Sequence, residues 1–361
     1  MGKKHSGWVS TSLLVLVLLA SSVETLHAEF SEEQRAELLR TLSPYFISDG
    51  PDGRPPVNPS FFAENCRIFD VSSEKWLTAP SGQIGWKAEE LLKWLQLGDH
   101  SPQSARWKIS AEEWRLQGTV KSGRDRCRRS TEVAIREGNG VFGHVAHLEA
   151  DCYSVKYFLF LAWNETAFFG GEGNHEGDWL CLDLQVTADD PTKPHIDYAF
   201  YHNHGRVLLV EPDALYLRDG RPVAYMEKGS NELWPNRGGR GLGGHPPSGV
   251  LATKYWPSGE GENSEYMVVR EHRGQGLVYD TLGKVCNLEV CRDLNCRLVL
   301  EYRGEWGERR VNRFQWLSGV KVTSPPSPRW NAKMWDRDFT TCTNDPRADT
   351  IWLDPPSQSR K

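Results

Sequence analysis

Two neighbouring runs of alternating residues constrain the fold of this 361-residue chain more than any other feature of its sequence. Within residues 178–186 the even-numbered positions from 180 onward are aliphatic, and within residues 195–204 the even-numbered positions from 196 to 200 are apolar. A repeat of two is the repeat of an extended strand with one buried face. The link at residues 187–194 is short enough for a hairpin. We therefore predict two antiparallel strands joined by a short connection.

Helix signals are concentrated near the front of the chain. One amphipathic stretch covers residues 31–42, with Ser31 as the expected N-cap and acidic residues in its first turn. A second covers residues 87–97, where leucines recur at helical spacing, and it stops at Gly98. Beyond about residue 130 the pattern changes to short alternating apolar segments separated by Gly, Pro, Asn and Asp. This pattern is typical of a mostly antiparallel β domain.

These patterns predict a mainly β protein with four segments. Residues 1–28 form the first segment. Residues 29–130 form a short helical and loop region that packs on the main domain, and residues 131–345 form an antiparallel β-sandwich-like domain. Residues 346–361 form a C-terminal tail.

The first 28 residues have the features of a cleaved secretory signal. A basic start at Lys3 and Lys4 precedes an unbroken apolar run, and the small residue Ala28 follows at the expected cleavage site. An uncleaved membrane anchor is the alternative, but the apolar run is about half of the roughly 20 residues that span a bilayer. We expect a secreted protein without a transmembrane segment in its mature chain.

Charge and cysteine content narrow the partners and the redox setting. The formal net charge of −5 argues against nucleic acid as a partner. The eight cysteines are an even number in an exported chain, so disulfides are expected. The cluster Cys286, Cys291 and Cys296 lacks the Cys-x-x-Cys spacing of zinc knuckles, so we prefer disulfides to zinc there. Cys152 and Cys181 lie in apolar strands, where free buried thiols are the alternative.

The stretch GGEGNHEGDWLCL at residues 170–182 carries the candidate chemistry. It places His175, Glu176 and Asp178 among glycines at the start of the first predicted strand. Imidazole and carboxylate groups this close together usually serve a metal ion or proton transfer.

The hairpin extends this cluster to the second strand. If the apolar faces are paired, Leu180 lies opposite His202 and Asp178 lies opposite His204. A register shift of two residues pairs Asp178 with His202 instead. Either register predicts that the acid and the imidazoles lie within a few ångströms of each other at one end of the hairpin.

A mixed set of imidazole and carboxylate ligands suits zinc, manganese or another divalent ion. We predict His175, Asp178 and His204 as metal ligands, with Glu176 and His202 as candidate catalytic groups. Alternatively, the carboxylate orients a histidine that acts as a general base. In the purely structural alternative, the aspartate ties down the glycine turn and the histidines are semi-buried.

The same residues resemble a known family. The turn Gly-Asn-His-Glu-Gly-Asp-Trp at residues 173–179, preceded by the aromatic strand at residues 157–164, resembles the signature of the vacuolar protein sorting 62-like proteins. The resemblance continues through residues 201–205, 225–230, 302–307 and 324–335.

This resemblance implies that His175, Asp178 and Trp179 lie on the family's turn and that His204 ends the following strand. The chain departs from the family pattern at Leu180, where an acidic residue is usual, and at Asn231, where the family has histidine after serine. The resemblance implies no enzymatic reaction.

The turn is also similar to the His-x-His-Asp-Trp-Glu motif of necrosis-inducing secreted proteins. That similarity implies a β-sandwich with a divalent ion in a membrane-directed toxin, although the spacing here differs by one residue and the final glutamate is absent.

Two classes of function follow from these observations. In the first, the protein is a metal-dependent binding or toxin-like module for lipid or carbohydrate surfaces. In the second, it is a metal- or histidine-dependent hydrolase of ester, phosphoester or glycosidic bonds in a small substrate. The sequence has neither a Gly-x-Ser-x-Gly elbow nor a His-Glu-x-x-His helix, so serine-hydrolase and zincin chemistry lack support. A purely structural role ranks third.

Overall fold

The structure is a computed structural model. It describes residues 29–48, 56–64, 66–70, 75–82, 86–97, 107–110, 140–164, 175–203, 206–226, 231–235, 277–307, 326–331, 334–335 and 350–353. The predicted signal segment lies outside these residues, so the secretory signal stays a prediction. None of the described helices is both long enough and apolar enough to span a bilayer.

The first part of the chain mixes short helices and strands. In chain order its elements are α1 (Glu32–Thr41), β1 (Tyr45–Ser48), α2 (Pro59–Glu64), β2 (Arg67–Asp70), β3 (Lys75–Leu77), α3 (Ala88–Leu97) and β4 (Trp107–Ser110). The predicted cap of α1 is confirmed, because the Ser31 hydroxyl accepts from the Gln34 amide and the Gln34 side chain accepts from the Ser31 amide. The helix predicted at residues 87–97 is confirmed as α3.

The remaining part is dominated by strands. Its elements are β5 (Val141–Glu149), β6 (Cys152–Asn164), β7 (His175–Thr187), β8 (His195–Asn203), β9 (Arg206–Val210), β10 (Leu217–Arg218), β11 (Arg221–Met226), β12 (Leu233–Trp234), β13 (Leu277–Asp280), β14 (Cys286–Asn287), α4 (Leu294–Glu301) and β15 (Thr350–Leu353). Single 3₁₀ turns lie at Pro212–Ala214 and Pro328–Trp330.

The main sheet has seven strands in the order β14-β5-β6-β7-β8-β9-β15. Strands β5 to β9 form an antiparallel meander, and the two edge strands β14 and β15 run parallel to their neighbours. The predicted hairpin is confirmed as β7 and β8. A second sheet has the order β10-β11-β1-β13, with β12 paired to β11, and a third small sheet has the order β3-β2-β4.

The main sheet is covered on both faces. On one face, Leu182 and Tyr201 share a buried cluster with Phe46 of β1, Ala224 of β11 and Leu38 of α1. The second sheet therefore packs face to face on the main sheet. This packing is the sandwich-like arrangement of a mainly β protein that the sequence predicts.

Helices cover the opposite face of the main sheet. There Phe160 and Trp179 share a second buried cluster with Phe62 of α2, Leu91 of α3 and Leu298 of α4. We call these two sides the sheet side and the helix side of the main sheet. Because both sides are buried, long runs of β6 and β7 are apolar at consecutive positions rather than only at alternate ones.

A β-bulge in the hairpin changes its register. Val186 pairs with Ile196, as predicted, but Gln185 pairs with Tyr198, which leaves Asp197 as an extra residue on β8. A shift of one residue moves every later side chain of a strand to the other face relative to its partner. Beyond the bulge, Tyr201 and not Phe200 therefore lies opposite Leu182.

Candidate functional site

The turn that opens β7 is fixed by a close backbone contact. Gly177 has a φ of +63°, and a Cβ atom at this position would lie 1.7 Å from the carbonyl oxygen of Trp306. Only glycine avoids both the backbone strain and the steric overlap. The Gly-Asp-Trp turn is therefore held against a segment that follows it by more than 120 residues.

Aromatic packing on the helix side connects this turn to the last part of the chain. The buried ring of Trp306 lies edge-on to Trp179, with centroids 6.0 Å apart, and contacts Phe160 at 4.9 Å. Its Nε1 donates a 2.7 Å hydrogen bond to the hydroxyl of Ser327. The β6–β7 pair, the Trp306 segment and the Ser327 segment therefore meet here in one packed core.

Asp178 points to the sheet side. It pairs with Leu161 of β6 and is 2% exposed. Its Oδ2 accepts a 3.1 Å hydrogen bond from Nδ2 of Asn231, which is also buried and adopts a φ of +63°. Asparagine tolerates this left-handed conformation better than most residues do. Among the described residues, no cationic side chain lies within ion-pair distance of Asp178.

His202 lies on the other face of the main sheet. It pairs with Cys181, so it shares the helix side with Trp179, and it is 3% exposed. Alternation in the sequence predicts His202 opposite Leu180, which would pair Asp178 with His204, or His202 opposite Asp178 itself, and both registers are wrong. The bulge at Asp197 is the physical reason, because it inverts the facing of β8 relative to β7. Asp178 and His202 are therefore separated by the sheet and do not share a pocket.

The remaining predicted site residues lie at the ends of the hairpin. His175 and Glu176 are the first residues of β7 and pair with Asn164 and Trp163 of β6, but their side chains are outside the described part of the chain. His204 also lies outside the described residues. The roles of His175 and His204 as metal ligands and of Glu176 as a proton carrier stay predictions.

The structure contains a buried polar cluster that the sequence patterns do not predict. Lys156 of β6 and Asp183 of β7 form a cross-strand pair on the helix side, with Nζ 4.0 Å from Oδ2. Lys156 also donates a 2.6 Å hydrogen bond to the carbonyl oxygen of Trp335, and the Ser154 hydroxyl donates to Oδ1 of Asp183 at 2.7 Å. Both charged side chains are at most 2% exposed. The lysine and the aspartate therefore balance each other's charge where water is excluded.

The polar cluster continues onto β5. His144 pairs with Lys156 across the strands, its Nδ1 lies 2.5 Å from Oε1 of Glu289, and its ring stacks on Trp335 at 4.2 Å. These contacts fix the Trp335 segment over the helix side of the sheet. A lysine inside the otherwise apolar segment 155–162 is the sequence signal that marks this cluster.

A second group of potential ligands surrounds the start of α4. Cys291 and Cys296 form a disulfide, which confirms the preferred interpretation of this cluster, and Cys152 is also disulfide-bonded. The Cys286 thiol and the Asp293 carboxylate lie beside the Cys291–Cys296 pair, and all four ligand atoms are within 4.8 Å of one another. Burial, together with the nearby charge of Asp293, raises the pKa of the Cys286 thiol to about 11. This Cys/Asp group has the composition and spacing of a metal site.

No protein-family model matches the chain, and no curated protein matches it. The resemblance to the vacuolar protein sorting 62-like family therefore receives no support from these comparisons. Several solved structures of necrosis-inducing proteins do match. This is the second group whose motif resembles the turn at residues 173–179.

Three of these structures illustrate how limited the match is. The non-toxic HaNLP3 protein is 16% identical with a TM-score of 0.20, over 24% of this chain and 38% of that one. NLPPya in complex with glucosamine is 16% identical with a TM-score of 0.22, over 27% of this chain and 43% of that one. Necrosis and Ethylene inducing Protein 2, from the causal agent of cocoa's Witches Broom disease, is 14% identical with a TM-score of 0.21, over 26% and 42%. The chain spans less than half the length of each of these structures, and a likeness of this extent assigns no function to it.

Proposed function

We propose that the β domain is a secreted binding module in which a divalent ion at the Asp178 turn organises the contact with the polar headgroups of a lipid or carbohydrate surface. The observation that carries the proposal is the environment of Asp178. This carboxylate is buried, and its hydrogen-bond partner is the neutral amide of Asn231.

The magnitudes favour a cation at this position. Removing a carboxylate from water costs several kcal/mol even after the protein relaxes. A hydrogen bond to a charged group returns only about 1.5–3 kcal/mol. Buried charges in proteins are usually paired or bound to metal ions, and no cationic side chain in the described part of the chain pairs with Asp178. A divalent ion would supply the missing positive charge.

Two histidines outside the paired part of the β7–β8 hairpin are the proposed remaining ligands. His175 precedes Asp178 in the same turn, and His204 follows the last residue of β8. Two imidazoles and one carboxylate form a ligand set suited to zinc or manganese, and they leave coordination positions for a headgroup. Asn231 contributes by holding Asp178 in place, so position 231 belongs to the surroundings of the proposed ion.

A binding role is favoured over the alternative hydrolase. The hydrolase mechanism with a carboxylate-oriented base needs Asp178 and His202 within hydrogen-bond reach of each other. Their positions on opposite sides of the main sheet argue against this pair. Metal-assisted hydrolysis with Glu176 as the proton carrier is the other hydrolase mechanism. Turnover of a substrate would distinguish it from binding alone.

The test compares retention of the purified chain on phosphatidylcholine–phosphatidylserine vesicles and on immobilised glycans, with and without a chelator. The matched variants are Asp178→Asn, which removes the charge at constant size, and Asp213→Asn, which changes an exposed aspartate. We expect the chain to be retained on one of the two surfaces and the chelator to abolish this retention. Asp178→Asn should lower the retention about tenfold or more, and Asp213→Asn should leave it unchanged. Retention that is insensitive to both the chelator and Asp178→Asn would overturn the proposal. Turnover of ester, phosphodiester or glycoside substrates that Asp178→Asn abolishes would select the hydrolase instead.

A further inference from the structure

The four potential ligands around the start of α4 come from an edge strand, the connection after it and the start of the helix. Cys286 lies on β14, at the edge of the main sheet, where it pairs with Phe142. Cys291 lies in the connection that follows, and Cys296 lies in the first turn of α4, where it is fully buried. Asp293 is the N-cap of α4. We call Cys286, Cys291, Asp293 and Cys296 the thiol cluster.

The spacing of the thiol cluster is close to that of a tetrahedral metal site. The Sγ atoms and a carboxylate oxygen all lie within 4.8 Å of one another. A tetrahedral zinc ion with Zn–S bonds of about 2.3 Å holds its ligands about 3.7 Å apart. To enclose an ion, the widest separation in the cluster needs to shorten by about an ångström, and the Cys291 and Cys296 sulfurs need to move apart once their bond is broken.

Hydrogen bonds donated by backbone amides hold the cluster independently of the disulfide. The Cys291 amide donates to the Asn287 carbonyl oxygen at 2.8 Å, and the Leu288 amide donates to the Gly143 carbonyl oxygen at 2.8 Å. The Cys296 amide donates to Oδ1 of Asp293 at 2.8 Å. These bonds tie the segment to β5 and to the start of α4. Opening the Cys291–Cys296 bond therefore leaves the ligands facing each other.

The chemistry of the donors selects the ion. Three sulfur atoms and one carboxylate form a soft, anionic, four-ligand set, and structural zinc sites have this closed tetrahedral composition. While Cys291 and Cys296 are bonded to each other, their sulfurs are neutral and bind zinc poorly, because the thiolate is the metal ligand. The redox state of this pair thus decides whether the cluster has one thiol or three.

We propose that reduction of the Cys291–Cys296 disulfide converts the thiol cluster into a four-ligand zinc site. An external dithiol supplies two electrons, its two sulfurs become a disulfide, and the Cys291–Cys296 bond breaks to give two thiols. Binding of Zn²⁺ by these two sulfurs, by Cys286 and by Asp293 then releases the thiol protons to solvent. The site is separate from the proposed ion at Asp178, which has no sulfur ligand.

The experiment uses the full chain and cobalt(II) as a probe, because sulfur ligands give cobalt an intense thiolate charge-transfer absorption that nitrogen and oxygen ligands do not give. A phosphine replaces the dithiol as reductant because dithiols themselves bind zinc. We expect no thiolate–cobalt band in the oxidised chain. In the reduced chain we expect a band that saturates at about one equivalent of cobalt beyond any that the oxidised chain binds, and that zinc displaces.

Two variants separate ligation from folding. Cys286→Ser removes the third sulfur and is expected to weaken cobalt binding by about 100-fold. Asp293→Ser removes the carboxylate but keeps a good N-cap for α4, and it is expected to weaken binding at least tenfold while the thermal unfolding curve stays close to that of the wild type. A reduced chain without the band, or a band that both variants leave unchanged, would overturn the proposal. Because Asp178 offers no sulfur, failure at the thiol cluster is independent of failure of the proposed function.

Discussion

Asn231 donates a hydrogen bond from Nδ2 to Oδ2 of Asp178 across the space between the two packed sheets, at 3.1 Å. Both side chains are buried. The Asn231 amide therefore lies directly beside the candidate carboxylate. Position 231 is therefore a place to vary the affinity of the proposed ion site.

We predict that Asn231→His raises the affinity of the Asp178 turn for zinc about tenfold or more. Histidine tolerates the left-handed conformation of this residue, and its imidazole nitrogen is a better zinc ligand than an amide. Zinc titration in competition with a chromophoric chelator measures the change. Asn231→Gly, which tolerates the conformation without offering a ligand, is the control and should not raise the affinity. Equal affinities for the wild type and Asn231→His would place the ion elsewhere.

We predict that Gly177→Ala lowers the free energy of unfolding by about 3 kcal/mol or more, or prevents folding, because the new Cβ overlaps the Trp306 carbonyl oxygen. Gly220→Ala is the matched control. Gly220 also has a positive φ, +74°, but nothing lies within 4 Å of an added Cβ. That control should cost only about 1–2 kcal/mol from the backbone conformation. Chemical denaturation of both variants gives the comparison, and equal losses would contradict the close contact.

We predict that Lys156→Met lowers the free energy of unfolding by about 3–5 kcal/mol, because it leaves the Asp183 carboxylate buried without its cation. The double variant Lys156→Met with Asp183→Leu removes both charges and should be more stable than Lys156→Met alone. Urea denaturation of the four members of this cycle measures the coupling. If the double variant is less stable than Lys156→Met, Asp183 stabilises the fold mainly through contacts other than its ion pair with Lys156.

The pair formed by Arg221 and Asp280 predicts a modest acid sensitivity. Burial alone would raise the pKa of Asp280, but the hydrogen bond from Arg221, the Leu282 amide and the charge of Arg221 together lower it below its usual value. A depressed pKa in the folded state stabilises the protein above the pKa of the unfolded state, about 3.9, and this contribution is lost as the pH falls through the folded pKa.

Because the Asp280 side chain is 44% exposed, the contribution should not exceed about 1 kcal/mol. The free energy of unfolding measured from pH 6 down to pH 3 in the wild type and in Asp280→Asn checks this. We expect the variant to be less stable at pH 6 and the two curves to converge toward pH 3. A constant difference over this range would contradict the proposed linkage.

The existence of the strands could be predicted from sequence, but their facing could not. Alternation predicted β7, β8 and the Val186 to Ile196 pairing. The bulge at Asp197 has no local signal, because the main sheet is covered on both sides and both Phe200 and Tyr201 are buried. When neighbouring positions of a strand are equally apolar, hydrophobicity does not decide which of them faces which layer.

Long-range contacts explain why the sequence patterns predict neither the polar cluster around Lys156 nor the close contact at Gly177. The polar cluster around Lys156 depends on Trp335, and its extension to His144 depends on Glu289, each of which follows in the chain by more than 140 residues. Likewise, nothing near Gly177 in the sequence indicates the contact with Trp306. Periodicity reports which residues are buried in an element, whereas such partners are set by how the elements pack.

The metal content of the oxidised, purified chain tests the central claim most directly, because the thiol cluster then holds its disulfide and does not compete for the ion. Mass spectrometry of bound metals after equilibration at micromolar zinc and manganese compares the wild type with Asp178→Asn and with the exposed control Asp213→Asn. We expect about one divalent ion per chain in the wild type and in Asp213→Asn, and at most about a tenth of that in Asp178→Asn. A wild type without bound metal, or equal metal content in all three proteins, would contradict an ion site at Asp178.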